Sequence, residues 1–502
     1  MNPRSALPAI GLTALLLSGC FSSSSDEPEG AAPTAQGKRI SVAMLQPPRS
    51  GLTPFSDDAF KLSRWSTAET LVVLDEAGDA QPALATAWEQ VDPRTWRFEV
   101  RQGVTFHDGT PLTADQVAAV LTAATKASPK PRILDGVELT AQVDPAAPSE
   151  AVLVRTGDAD PLVPQRLSSP QLSILAAAAY RPDGTVDPVG HGTGPFELVA
   201  VDGTVGATLD RFDGYWGERA KAAGIDVDFV PDGTARAAAL RTGTADVVEA
   251  VPVSQASLLE SDQVFEVPMP RTNTLYLNTE RGVFKDTAMR AAARDAVQRE
   301  AIVENVYEGR ADVAQGLLGP ALPWAAEGRP ERTERPAADP AGAEIVLATF
   351  TDRAELPEVA VQLEQQLEAA GFRVRQEVRE YAQIEADALA GDFDAFILSR
   401  ATVLDSGDPV AYMYSDFACD GSFNIAQLCD PAIDAALRKA SGTETGDARR
   451  AATLEAERLI LESDAAIPML HERVIQGESG DFSDVARDPR ERRLVTAETA
   501  AR

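Results

Sequence analysis

Residues 69–120 read ETLVVLDEAGDAQPALATAWEQVDPRTWRFEVRQGVTFHDGTPLTADQVAAV. From Thr95 to Val100 the side chains alternate. Trp96, Phe98 and Val100 take one face and Arg97, Glu99 and Arg101 the other, the pattern of a half-buried strand. Gln102-Gly103 turns that strand, and Val104–Phe106 is expected to pair back on it. His107-Asp108-Gly109 makes a second turn, with glycine free to take positive φ. Thr113 then opens a helix as N-cap, with Gln116 three residues on as in a capping box. Val117, Val120 and Leu121 give the helix an apolar stripe. The local prediction is hairpin, turn, capped helix.

Outward from this stretch, the 502 residues are enough for two or three cores, and 44% are hydrophobic, as in an ordinary globular protein. Lys and Arg number 46 against 77 Asp and Glu, for a formal net charge of −31. A scattered negative surface of this size repels nucleic acid and anionic head groups, so neither is expected as a direct partner. At the start, Arg4, the apolar run Ile10–Leu17 and Leu17-Ser18-Gly19-Cys20 resemble a secretory signal ending in a lipoprotein box. That resemblance implies a signal peptide over 1–19, lipidation of Cys20, and a polar tether over 20–37. The other two cysteines, Cys419 and Cys429, read as a disulfide in an oxidising compartment. The alternative, a two-thiol metal site, has no neighbouring histidine to complete it.

Residues 128–190 carry nine prolines and two alternating segments, Gly136–Val143 and Ala151–Arg155, which suit a small accessory subdomain. Strands are expected at Lys38–Met44, Ile225–Val230 and Ala245–Val248. A helix over Thr234–Arg241 ends at Gly243. Further on, Ala343–Thr349, Leu356–Ala370, Phe372–Val378, Tyr381–Leu389 and Phe393–Leu398 alternate as β-α-β-α-β. Such a run implies parallel strands with helices on their faces. Ligands of such sheets bind beyond the carboxyl ends of the strands, which directs attention to the segment after Leu398. The tail after Gly477 is polar and is expected to be loosely held.

The wording TWRFEVRQGVTFHDGTPLTADQV closely resembles the signature of the family 5 extracellular solute-binding proteins, the peptide, nickel and opine receptors of ABC importers. Pro188–Leu198 (PVGHGTGPFEL) and Phe212–Gly217 (FDGYWG) also match that family. The resemblance implies an α/β, two-lobed periplasmic-binding-protein fold (Venus flytrap, class II) with an extra small α/β subdomain in the first lobe. On that plan lobe I covers 38–272, with the subdomain at about 60–190. Lobe II covers 273–470, and 471–502 returns to lobe I as the C-terminal tail.

A receptor of this kind closes its lobes on a solute and needs no catalyst. The three histidines, His107, His191 and His471, fall in turns or beside a late strand, and no His-Glu-x-x-His, Walker loop or Gly-x-Ser-x-Gly elbow is present. No enzyme activity, cofactor or metal is therefore expected. The informative loop is Ser399–Asn424, SRATVLDSGDPVAYMYSDFACDGSFN. In peptide-binding relatives an aspartate four residues before the loop's proline accepts the ligand's α-ammonium. Asp405 stands four before Pro409. A fixed carboxylate is the natural partner for an ammonium in a cleft without water. Arg400, Tyr412, Asn424 and Trp324 are further ligand-binding candidates. The resemblance also places Cys419 and Cys429 where dipeptide-binding relatives have a disulfide. The expected function is a lipid-anchored, exported receptor for a peptide or similar amine-bearing solute, with an ABC permease and ATPase as partners. The alternatives are an exported hydrolase using cleft carboxylates and a sensory lipoprotein uncoupled from transport.

Overall fold

In a computed structural model covering residues 37–502 apart from 354, 404 and 405, Thr95–Val100 is a strand with Phe98 and Val100 buried. It pairs antiparallel with Ala85–Asp92 on one side and Ala151–Thr156 on the other. Leu139–Val143 completes a four-stranded sheet. Helix Ala114–Lys126 covers this sheet with Val117, Val120 and Leu121 buried. The Thr113 hydroxyl accepts from the Gln116 N–H at 3.2 Å, the expected cap. The Gln116 side chain does not reach back to close the box. Its amide donates to the Leu175 carbonyl at 2.9 Å and ties the helix to the following layer. Val104–Phe106 does not pair back on Thr95–Val100 either. It folds on itself, with Phe106 N–H donating to Thr110 O and Leu112 N–H to Val104 O, because both edges of the strand are already occupied.

His107 fixes this unit to the first lobe. Its backbone N–H donates to Gly192 O and its Nε2 lies 2.9 Å from Gly194 O. A Cβ on Gly192 or Gly194 would fall 1.9 Å from the carbonyl oxygen of Thr67 or Ser66. The glycines of that return turn thus serve close backbone approach.

The main sheet has eleven strands and runs through both lobes. In the second lobe, Arg373–Arg379, Glu344–Phe350 and Ala395–Ala401 lie parallel, as the alternating pattern predicts. In the first, Ile40–Met44 lies parallel to Gly224–Phe229 and Val247–Val248. Two long antiparallel strands, Val264–Leu277 and Ala466–Glu478, join these halves, with register shifts between Pro268 and Thr272 and between Asn273 and Thr274. Such irregularities bend a sheet and re-aim side chains. One apolar core gathers residues between Leu275 and Leu470, a second holds Ile40 to Phe229 with Phe482 and Val495, and a third lies under the four-stranded sheet.

The tail departs from expectation. Phe482, Leu494 and Val495 are buried in the first lobe's core, and Phe482–Ser483 pairs with Ala500–Ala501. Its many charges concealed these apolar anchors. Among the described residues no helix is long and apolar enough to cross a membrane.

Candidate functional site

The carboxyl ends of the two parallel strand sets border the crossing strands, and charged side chains collect there. From the first lobe come Glu249 after Val247–Val248 and Lys61 and Arg64 of helix Ala59–Arg64, beside the apolar Met44 and Leu45 at the end of strand Ile40–Met44. With Arg271 of the crossing strand they border a cavity of about 370 Å³. From the second lobe, Arg353 follows Glu344–Phe350 and Arg400 lies near the end of Ala395–Ala401. This is where open α/β sheets place ligands.

Most of these charges are matched. Lys61 Nζ is 3.0 Å from Asp58, whose carboxylate also accepts the N–H groups of Arg49 and Ser50. Arg64 pairs with Glu249 and, at 2.8 Å, with Glu491. Arg353 Nη1 is 2.7 Å from Glu472, and the Ser399 hydroxyl donates to the same carboxylate. Arg271 is held less firmly, with Nε 3.7 Å from Glu472. Burial, followed by the positive charge of Arg353, pushes the Arg271 pKa below its ordinary value.

The candidate residues divide. Arg400 is committed to Asp416: Nε and Nη2 each lie 2.9 Å from a carboxylate oxygen, in a bidentate pair. Its guanidinium also lies 4.1 Å from the Phe423 ring centroid and 5.9 Å from that of Tyr412. Asp416 is fully buried, and burial pushes its pKa up to about 6 despite the arginine. Tyr412 is buried beside Arg400 and packs edge-on against Phe417. Asn424 has its polar atoms on the backbone: Nδ2 donates to Ala418 O and Leu428 O, and Oδ1 accepts from Leu428 N–H. It locks the loop closed by the Cys419–Cys429 disulfide, which is formed. Trp324 lies elsewhere. It lines a narrow gap with Gly78, Asp79 and Asp408, and Arg450 lies 6.0 Å from its ring centroid. Asp405 and Cys20 fall outside the described residues.

Arg271, Arg353 and Glu472 were not singled out from the sequence. They are separated by more than 80 residues each and make no motif; the sole signal is the placement of Arg271 at the expected boundary between the lobes, after residue 272. Among the described residues no group of three His, Cys, Asp or Glu side chains could hold a metal ion.

The family described as bacterial extracellular solute-binding proteins, family 5, matches residues 79–424. This chain belongs to that family. The family 5 protein is 24% identical to the nickel-binding protein NikA of Staphylococcus aureus over 457 residues, 87% of each chain. It is 26% identical to the glutathione-binding protein GsiB of Shigella dysenteriae over 340 residues, covering 65% of this chain and 62% of that relative. Among solved structures, HbpA2 of Haemophilus parasuis superposes with a TM-score of 0.81 at 20% identity, covering 93% of this chain and 100% of the other. The nickel ABC transporter protein of Bacillus halodurans gives 0.80 at 24% identity, covering 92% and 99%. The fold is thus the two-lobed binding-protein fold, and the family 5 protein is a solute-binding receptor, not an enzyme.

Proposed function

We propose that this receptor is the substrate-binding component of an ABC import system, capturing a peptide or similar amine-bearing solute between its lobes and passing it to a membrane permease and its ATPase. The observation that carries the reading is a charged cavity at the carboxyl ends of the first lobe's parallel strands, beside the crossing strand that pairs with Ala395–Ala401 of the second lobe, in a member of family 5. The names of related proteins support a small, polar guest. They include glutathione-binding GsiB and a dipeptide-binding protein of Pseudoalteromonas solved with Met-Leu. Asp405 is proposed to take the guest's ammonium, and Cys20 to carry the lipid that holds the exported protein at the membrane.

The test is to denature the exported, mature protein and identify what it releases by mass spectrometry. A peptide or other amine recovered unaltered fits the reading. A guest chemically changed after incubation, or identical scattering profiles with and without it, would overturn it. Asp405→Ala is expected to weaken the amine ligand more than tenfold by calorimetry, with the melting temperature unchanged.

A further inference from the structure

We propose that the turn at residues 488–492 couples the first lobe's cavity to the contact between the lobes, with Glu491 facing the guest and Arg490 positioning the loop that carries Asp79. This coupling rests on the receptor reading given above and adds a route by which a guest biases closure.

One residue holds the turn. Asp488 Oδ1 accepts the Arg490 N–H at 2.9 Å, its Oδ2 accepts the Arg492 N–H at 3.2 Å, and its carbonyl accepts the Glu491 N–H at 2.9 Å. Glu491 takes a φ of +54°, a left-handed conformation that a residue other than glycine adopts at a cost. Three consecutive N–H groups share one anchor, so Arg490 and Glu491 do not shift independently. Fastening the tail does not require this turn, because Phe482, Leu494 and Val495 are already buried in the first lobe's core.

The two side chains serve different places. Glu491 lines the cavity of about 370 Å³ with Arg64 and Glu249. Its Oε1 lies 2.8 Å from Arg64 Nη2, and its carbonyl accepts from Arg64 Nε at 2.8 Å. Oε2 makes no hydrogen bond among the described residues, and 29% of the side chain is exposed, so an N–H or O–H group of a guest can meet it. Arg490 is buried. Its Nη2 donates to the carbonyls of Asp75 and Glu76 at 2.7 and 2.8 Å, while Nε is buried without a partner among the described residues. A guanidinium left partly unmet is costly, and what it holds in return is the loop 75–79. That loop makes the first lobe's contact with the second. Asp79 accepts from Arg450 Nη2 at 2.5 Å, and a Cβ on Gly78 would come within 3.1 Å of Gly407 O.

From cavity to lobe contact each link is a hydrogen bond, an ion pair or a close backbone approach, and the element with two states is the pair of lobes. A guest donor held by Glu491 fixes the turn. Arg490 then fixes the carbonyls of residues 75 and 76, and the loop meets Gly407 and Arg450 in the position that keeps the lobes together. By linkage, closure in turn favours the guest.

The test is a double-variant cycle on the full mature protein, stripped of resident guests by dialysis under mild denaturant. A randomised tripeptide mixture is the probe, and small-angle scattering reports the opening of the lobes. No hydrogen bond or ion pair joins Glu491 to Asp79, so independent roles would give additive effects. Coupling predicts that Glu491→Gln lowers tripeptide retention about threefold in the wild-type background and less than about twofold beside Asp79→Asn. Without guest, Arg490→Lys should scatter as a more open particle than wild type, to the same extent as Asp79→Asn, with their double variant no more open. Additive effects in the Glu491–Asp79 cycle would overturn the proposal. So would an Arg490→Lys protein that melts lower yet keeps the wild-type profile and retention, because the arginine would then be structural. Should Arg490→Lys fail to fold, the Glu491–Asp79 cycle decides. Should wild type retain no tripeptide, the peptide reading falls, and the guest-free profiles of Arg490→Lys, Asp79→Asn and their double variant support or overturn the coupling without it.

Discussion

Arg450 of the second lobe reaches Asp79 of the first, with Nη2 2.5 Å from the carboxylate oxygen. The loop that presents Asp79 is held from behind, because Arg490 Nη2 donates to the carbonyls of Asp75 and Glu76. Next to it Gly78 has a φ of +86°, and a Cβ there would come within 3.1 Å of Gly407 O. Gly407 itself belongs to the same loop as Asp405. The pair therefore closes a contact between the lobes beside the expected ligand loop. It is part-exposed, 22% for Arg450 and 43% for Asp79, so screening limits it to about 1 kcal/mol or less. Asp79→Asn is expected to lower ligand affinity by up to about fivefold, by favouring the open form, while leaving the melting temperature within a degree or two. Calorimetry with scattering of the ligand-free protein checks this; unchanged affinity would mean that the contact does not bias closure.

Much of this architecture is legible in the sequence, for identifiable reasons. The strand Thr95–Val100, the capped helix after Thr113 and the parallel strands of the second lobe follow from periodicity and caps, which are local properties. What escaped depends on distant partners. Glu69 sits in a readable segment, yet nothing there foretells that Thr193, Tyr215 and Trp216 all donate to its carboxylate. The Gln116 amide left its expected cap for the Leu175 carbonyl for the same reason. The candidate site was half visible. Arg400 was found because it ends a recognisable strand, but its partner Asp416 decides what it does, and that pairing belongs to the fold.

The disulfide offers a measurable stability term. Cys419 and Cys429 are ten residues apart, so the loop they close is short, and chain-entropy arguments give about 2–3 kcal/mol. The double variant Cys419→Ala, Cys429→Ala is expected to lose that much in a urea titration. Because Asn424 clamps the same loop to Ala418 and Leu428, Asn424→Ala in the double variant should cost more than in the wild type. Equal costs in the two backgrounds would show that the clamp and the crosslink act independently.

His107 gives a pH dependence with a definite sign. Burial pushes its pKa down from 6.5 to about 4, against the Gly194 carbonyl at Nε2, which favours the protonated ring; Nδ1 is buried without a hydrogen-bond partner among the described residues. The folded state thus keeps the ring neutral where the unfolded chain binds a proton. Between pH 6.5 and about 4 the unfolded state holds more protons, so stability falls as pH falls, by at most about 3 kcal/mol from this residue. His107→Gln should have a shallower slope of melting temperature against pH over that interval. A slope equal to wild type would place the acid sensitivity on other groups, of which His471, also pushed down to about 4, is the first to test.

The last prediction separates two roles for Arg400. If it served mainly the guest, Arg400→Ala would weaken binding and leave the unliganded protein intact. The geometry argues otherwise: Nε and Nη2 both face Asp416, whose side chain has no solvent exposure. Removing one member of a buried pair leaves the other charge uncompensated, which costs about 3–5 kcal/mol. Asp416 has a partial escape, since its pKa already stands at about 6 and would rise further without the arginine. Arg400→Ala should therefore unfold several degrees below wild type at pH 7 and recover part of the loss at pH 5, where the carboxyl accepts a proton. The double variant Arg400→Ala, Asp416→Asn should be more stable at pH 7 than Arg400→Ala alone. Should Arg400→Ala melt at the wild-type temperature across this range, the pair carries little stability, and Arg400 returns to the ligand-binding candidates.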